Sequence, residues 1–183
     1  MLYYNIYFCQ LDIWILDMMT EHNNMQFMSG EHDHKACISA AIACADKVCV
    51  KRNQRFTALR KRVFELVWRQ HKPIRAYDVL EELQKDGRAA PPTVYRALDF
   101  LLNLGLIHRI ESLNAYVGCT KPEREHQGHF LICTECLCYA ELNSPEIKAA
   151  IISSAQKTGF EVQHHTIEIM GLCPKCKEKR DKV

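Results

Sequence analysis

Two cysteine pairs, CTEC at 133–136 and CPKC at 173–176, restrict this chain more than any other feature. A C-x-x-C spacing lets one tight turn present two thiolates to a tetrahedral ion at metal–sulfur distances of about 2.3 Å. The 36 residues between Cys136 and Cys173 exceed a compact zinc ribbon but suffice for a strand, a helix and a strand. Any fold that uses both pairs must bring the two distant turns to one point, and the four candidate ligands are Cys133, Cys136, Cys173 and Cys176. The rival reading is a redox dithiol, which belongs at a strand-to-helix junction of a βαβ unit. Here the first pair lies between two strand-like runs, HFLIC and YAEL, and the second lies near a lysine-rich tail. Cys138 is a fifth thiol. It replaces Cys136 only by a C-x4-C spacing, which suits a knuckle less well, so it is read as a spare small strand residue.

The chain has ten cysteines, which raises the alternative of a secreted disulfide scaffold. Residues 1–19 are apolar but hold Asp12 and Asp17 and no lysine or arginine. They lack the basic region and cleavage site of a secretory signal, and the two aspartates interrupt a run too short to span a bilayer. A cytoplasmic location and no membrane partner are therefore expected. Residues 1–30 resemble nothing that follows. They are read as an extension, disordered or belonging to a mis-assigned start, with Met25 and Met28 as internal candidates.

Charge is unevenly distributed. Residues 1–46 sum to −5, residues 47–110 to +8 and residues 111–183 to −1. A basic middle third beside a near-neutral C-terminal third points to a polyanion-binding module joined to something else. The periodicity agrees. Residues 34–50 are small, apolar and free of proline and glycine, which predicts a helix, with Cys37, Cys44 and Cys49 as small core residues. Residues 55–70 predict a helix capped by Thr57. Residues 76–87 predict a second, with Val79, Leu80 and Leu83 inward and Gly87 at its end. Residues 91–105 predict a third, opened by two prolines and closed by Gly105. LIHRIES and AYVGC then predict a hairpin turning at Leu113-Asn114. Helix, helix, helix, hairpin is a winged helix-turn-helix. In its third helix Thr93, Tyr95, Arg96 and Asp99 face outward while Val94, Leu98, Leu101 and Leu102 face in, as DNA readout requires. Arg60, Lys61, Arg69 and Arg75 are placed to meet phosphates.

The C-terminal third predicts strands around the CTEC turn, a helix over 144–159 capped by Ser144, and a long strand through FEVQHHTIEIMGLC. The fold class is thus α+β. A winged-helix domain (31–119) is followed by a hinge loop (120–128) and a C-terminal α/β domain (129–183) with a four-cysteine zinc knuckle. A second constellation lies at the junction: His108 on the first wing strand, Cys119 at the end of the second, and His126 in the loop. Ligands drawn from both domains would let a metal set their relative angle. Thiolate and imidazole suit zinc, whereas magnesium or manganese favours oxygen.

Arg55, Thr57 and Arg60 in RxTxxR, then PPTVYRALDFLLNLGLIHRIES, HFLICTEC and GLCPKC, resemble the ferric uptake regulator family. PPTVYRALDFL followed by HRIESLNAYVGC is most similar to its zinc-uptake-regulator branch. The resemblance runs from about Cys44 to Lys177. It implies a homodimer that binds AT-rich palindromic operator DNA when zinc-loaded and represses zinc-import genes. It implies no enzymatic activity and no small-molecule substrate. By motif position it implies structural zinc on Cys133, Cys136, Cys173 and Cys176, and regulatory zinc on His108, Cys119, His126 and Glu141, about two ions per chain. It makes 93–102 the recognition helix, with Tyr77 and Arg96 at the DNA beside Arg60, Thr93 and Tyr95. There are departures. Position 129 is His where the iron branch often has Asp, and His129, Glu146 and His165 are candidates for a third, weaker site or simply solvated surface. Leu137 stands where glycine commonly follows the CxxC. The alternatives are an iron or peroxide sensor of the same family, a CxxC thiol oxidoreductase, and a purely structural zinc protein.

Overall fold

The computed structural model describes residues 27, 34–69, 72–85, 87, 90–122 and 128–182. Of the expected extension, residues 1–30, only Phe27 is among them, and it packs against the cysteine cluster of the C-terminal half.

The run rich in alanine and cysteine forms α1, His34–Lys51. Its Cys49 is buried in the core and Cys37 packs at the core's edge, as small apolar residues do. Helix α2, Ala58–Trp68, begins at Thr57, whose side chain accepts the Arg60 N–H. Val63, Phe64, Leu66, Val67 and Trp68 are all buried on it. That is wider than one helix face, because α2 is the central helix of its domain. A two-residue strand β1, Ile74–Arg75, runs directly into α3, Ala76–Lys85, where Asp78 accepts the Arg75 N–H at 3.3 Å. Helix α4, Pro91–Asn103, carries both prolines in its first turn. It stops before Gly105, whose φ of +68° is a left-handed value that glycine adopts without strain.

Strands β2, Ile107–Ile110, and β3, Ala115–Gly118, pair antiparallel from Ile107↔Gly118 to Ile110↔Ala115. Their connection is the four-residue loop 111–114, closed by the Asn114 N–H on the Glu111 carbonyl at 3.1 Å. It is longer than the tight Leu113-Asn114 turn that the sequence predicts, and only Asn114 has a positive φ in it. The wing also has a third strand, since β1 joins the free side of β3 through Ile74↔Tyr116 and Arg75↔Ala115. Two residues are too few to show a period of two. Gly118 is fixed by packing: a Cβ there would come within 2.3 Å of the Trp68 indole, so β3 seats on α2 only with glycine at this position.

The C-terminal half contains β4, His129–Cys133, β5, Tyr139–Glu141, α5, Pro145–Gln156, β6, Ile167–Gly171, and α6, Pro174–Arg180. Strand order is β5-β4-β6, with β5 antiparallel and β6 parallel to the central β4. The long strand expected through FEVQHHTIEIMGLC is shortened to Ile167–Gly171. Pairing starts at His129↔Ile167 and ends at Cys133↔Gly171, so β6 is as long as its one partner allows. The lysine-rich tail is helix α6, which the sequence reading missed. Ser144 caps α5 as expected, accepting the Ile147 N–H at 3.3 Å. No residue of α5 is buried, and Phe160, Ile169 and Met170, further along the chain, are exposed. A second apolar core lies between the halves: Ile110 and Val117 of the wing, with Leu113, meet Phe130, Ile132 and Tyr139 of the sheet. The wing thus sits on the C-terminal sheet. Among the described residues no helix is long and apolar enough to cross a membrane.

Candidate metal centres and nucleic-acid interface

The two C-x-x-C turns converge. The Sγ atoms of Cys133, Cys136, Cys173 and Cys176 lie within 4.8 Å of one another, and Cys136 Sγ is 3.8 Å from Cys173 Sγ. A tetrahedral ion with metal–sulfur bonds of about 2.3 Å needs sulfurs about 3.8 Å apart, so the four thiols fit zinc. Backbone geometry explains the convergence. Cys133 ends β4 beside Gly171, the last residue of β6, and Thr134 N–H donates to the Gly171 carbonyl at 2.8 Å. Cys173 is the N-cap of α6, which places Cys176 one turn on.

The electrostatics divide the thiols: Cys133 and Cys136 are drawn toward thiolate, while the neighbouring Cys173 sulfur, and then burial, push Cys176 up to about 12. Burial pushes the Cys133 thiol up, but the backbone N–H groups of Cys136, Cys173 and Glu135 outweigh it and bring it down to about 6. Cys136 is likewise lowered against the effect of burial, by the N–H and S–H of Cys138. Cys138 itself is pushed up, first by burial and then by the neighbouring Cys136 and Cys173 sulfurs, so it remains a thiol. It is buried beside the four and faces the Cys136 and Cys173 sulfurs. The second pair does not simply lie near a lysine-rich tail: it sits at a strand-to-helix junction, between β6 and α6, the position expected of a redox motif. Convergence with the other pair, not placement, therefore favours metal.

The second constellation is also assembled. His108 Nδ1 or Nε2, Cys119 Sγ and a Glu141 oxygen lie within 4.8 Å of one another. His108 stands on β2. Cys119 follows β3, its N–H extending the ladder to the Leu106 carbonyl at 3.1 Å. Glu141 ends β5 on the other sheet. His108 Nε2 is 3.6 Å from one Glu141 oxygen, both side chains 13% exposed. The Thr120 hydroxyl donates to the other oxygen at 3.0 Å. Imidazole, thiol and carboxylate together fit zinc, and an orienting hydroxyl behind a ligand carboxylate is a common accompaniment. His126 lies outside the described residues. Sequence reasoning missed Thr120, whose only signal is adjacency to Cys119. It also missed Gly128, where a Cβ would meet the Phe130 ring at 2.5 Å and His108 Nδ1 at 3.2 Å.

The third set is only partly brought together. His129 and His165 face each other with ring centroids 4.9 Å apart. His129 Nε2 and both His165 ring nitrogens are buried without a hydrogen-bond partner among the described residues. Burial, then His165, lowers the His129 pKa and keeps its ring neutral. Glu146 joins no three-ligand group with them among the described residues; its carboxylate accepts the Ser144 hydroxyl at 2.6 Å in the cap of α5.

On α4, Val94, Ala97, Leu98 and Leu101 are buried, while Tyr95, Arg96 and Asp99 are exposed and Thr93 is half-buried. Tyr77, on α3, is 72% exposed and Tyr95 52%, large values for side chains that usually bury their rings. Arg60 lies differently: its guanidinium stacks over Phe100 at 3.5 Å and donates to the Arg55 carbonyl. Arg69 pairs with Glu82 at 3.4 Å, and Lys61 lies 4.0 Å from Asp46.

Known proteins are similar to this chain in sequence and fold. The sequence model of the ferric uptake regulator family matches residues 51–170. The zinc uptake regulation protein of Escherichia coli (strain K12) is 39% identical over 146 residues, 79% of this chain and 85% of that protein. That of Mycobacterium tuberculosis (strain H37Rv) is 33% identical over 106 residues, 56% of this chain and 78% of that protein. A solved zinc uptake regulator complexed with zinc and DNA superposes with a TM-score of 0.74 at 38% identity, covering 79% of this chain and 97% of the other. Holo XcZur gives 0.71 at 37% identity, covering 76% and 98%. With about two thirds of its length matched and the cysteine pairs converging, the chain belongs to the ferric uptake regulator family.

Proposed function

We propose that the chain is a zinc-responsive transcriptional repressor that binds operator DNA as a zinc-loaded homodimer and controls zinc-uptake genes. One observation carries it: His108 and Cys119 from the wing converge with Glu141 from the C-terminal sheet on one point between the two halves. Bound there, zinc supplies a divalent charge that offsets the repulsion between a thiolate and a carboxylate. Every other step belongs to the protein. Thr120 aims the Glu141 carboxylate. His108 and Cys119 hold the base of the wing against β5, with His126 as the fourth ligand from the loop. Because β2 follows α4 after three residues, fixing the wing fixes the angle of α4, and so of Thr93, Tyr95 and Arg96, toward a major groove. Tyr77 on α3 flanks that face.

Residues 31–119 act as the DNA-binding unit, 120–128 as the hinge and 129–183 as the dimerisation unit. The half-buried isoleucines of α5 and the exposed Phe160, Ile169 and Met170 fit a second copy of the chain. The four-cysteine centre ties β4 to β6 and α6 and is structural, for about two zinc ions per chain. The protein works in the cytoplasm as a regulator without catalytic chemistry.

The test is metal content together with duplex binding by the full chain across a buffered zinc series, repeated with Fe(II) and Mn(II). The probe is a DNA duplex selected from a random pool by the zinc-loaded protein. Binding should appear as the second zinc per chain loads, and should fall steeply with salt. Binding indifferent to zinc, or supported only by iron or manganese, would overturn the proposal.

A further inference from the structure

Glu168 lies on β6 opposite Phe130 of β4, far in sequence from the wing. One of its carboxylate oxygens accepts the Glu111 N–H at 2.6 Å and the other accepts the Ser112 N–H at 3.0 Å. Both donors belong to the wing tip, the loop 111–114. Neither takes part in the β2–β3 ladder, whose last pair is Ile110↔Ala115. The loop's own closing bond uses the Asn114 N–H and the Glu111 carbonyl, leaving those two amides to Glu168. The Glu111 side chain is turned away onto Arg109 at 3.2 Å and does not compete.

The wing hairpin therefore has two attachments to the C-terminal sheet. Its base carries His108 and Cys119, which meet Glu141. Its tip is held by Glu168, about 10 Å further on at about 3.3 Å per residue from His108 to Glu111. Between them Ile110, Val117 and Leu113 pack on Phe130 and Ile132. Apolar packing resists separation but not sliding, and a single anchor at the base leaves the hairpin free to pivot. A second anchor removes that pivot. A carboxylate bridging two backbone N–H groups is charge-assisted and directional, so it fixes register as well as distance.

We propose that Glu168 is a positioning residue: its carboxylate latches the wing tip to the C-terminal sheet, so that an ion at the wing base sets one angle of α4 rather than a range. The inference rests on the function proposed above, and it adds a determinant of that function that binds neither metal nor DNA.

The test compares Glu168→Gln and Glu168→Ala with wild type in the zinc-loaded full chain. Three quantities are read: zinc per chain, amide hydrogen exchange at Glu111 and Ser112, and affinity for the selected duplex. Glutamine keeps the volume of glutamate but only one acceptor, so a side chain acting by bulk alone would leave Glu168→Gln like wild type. The latch predicts unchanged zinc content in both variants, with exchange at the two amides faster by about tenfold or more in Glu168→Ala. Duplex affinity falls about tenfold in Glu168→Ala, the usual scale for a lost hydrogen bond to a charged group, and Glu168→Gln is intermediate in both readouts. Wild-type exchange and affinity in Glu168→Gln would overturn the latch, as would faster exchange with undiminished affinity. If the wild-type chain selects no duplex, the functional proposal fails while the exchange measurement still decides whether Glu168 holds the tip.

Discussion

Leu137 shows how one side chain departs from what its backbone asks. It follows the CTEC turn with φ +59°, its N–H on the Cys133 carbonyl at 3.0 Å, and it is 41% exposed. A left-handed conformation costs a leucine roughly 1–2 kcal/mol, and the buried part of its side chain recovers about as much. Leu137→Gly should therefore shift stability by less than about 1 kcal/mol with zinc content unchanged, seen as a nearly constant midpoint in chemical denaturation; a much lower midpoint would mean that the packing of the leucine outweighs its backbone cost. At the DNA-facing surface, Arg96 is exposed on α4 with aliphatic neighbours turned inward. Arg96→Ala should weaken duplex binding by about 1–3 kcal/mol without altering metal content; normal binding would remove α4 from the groove. At this scale much was legible. Thr57 and Ser144 cap the helices they were expected to cap, because a cap is a local match between one side chain and one N–H. Arg60 was less so: its stack on Phe100 depends on how two helices cross, which a motif does not encode.

Among the elements, the β4–β5 hairpin does two tasks, holding two of the four thiols at its turn and Glu141 on its return strand. Cys138 lies between them, buried and protonated, donating toward the Cys136 and Cys173 sulfurs. Cys138→Ala should keep one zinc at the four-cysteine centre but release it to a chelator about tenfold faster, since the thiolates lose an orienting partner. Cys176→Ala should lose that zinc outright. The reverse pattern would put Cys138 in the ligand set. Helix and strand types were largely readable from periodicity, and the errors have physical causes. Strand β6 is short because β4 offers only five partners. Strand β1 is too short to carry a pattern. Helix α6 has no apolar stripe to announce it, since its seven residues, PKCKEKR, are nearly all polar.

For the whole molecule, the informative contacts are those between halves. Spacing grouped His108 and Cys119 with His126 at the junction, and the family resemblance added Glu141; that Thr120 stands behind that carboxylate and Glu168 holds the other end of the wing follows from the seating of one sheet on another. Metal loading should also depend on pH. Metal ligands must be deprotonated. At the four-cysteine centre backbone N–H groups bring the Cys133 thiol down to about 6, while the neighbouring Cys173 sulfur and burial hold Cys176 up at about 12, so protons compete with the ion there. The thiol and imidazole of the wing base must likewise give up their protons to bind. Zinc-dependent duplex binding should therefore weaken as pH is lowered at fixed total zinc; an affinity unchanged with pH would contradict this.

The central claim is that zinc at the wing base controls DNA binding. The most direct test is the buffered zinc titration of duplex affinity in Cys119→Ser, run beside wild type with zinc content measured at each point. The expected result is a folded variant that holds one zinc per chain at the four-cysteine centre and shows no zinc-dependent gain in affinity. A variant that reproduces the wild-type zinc response would contradict the claim.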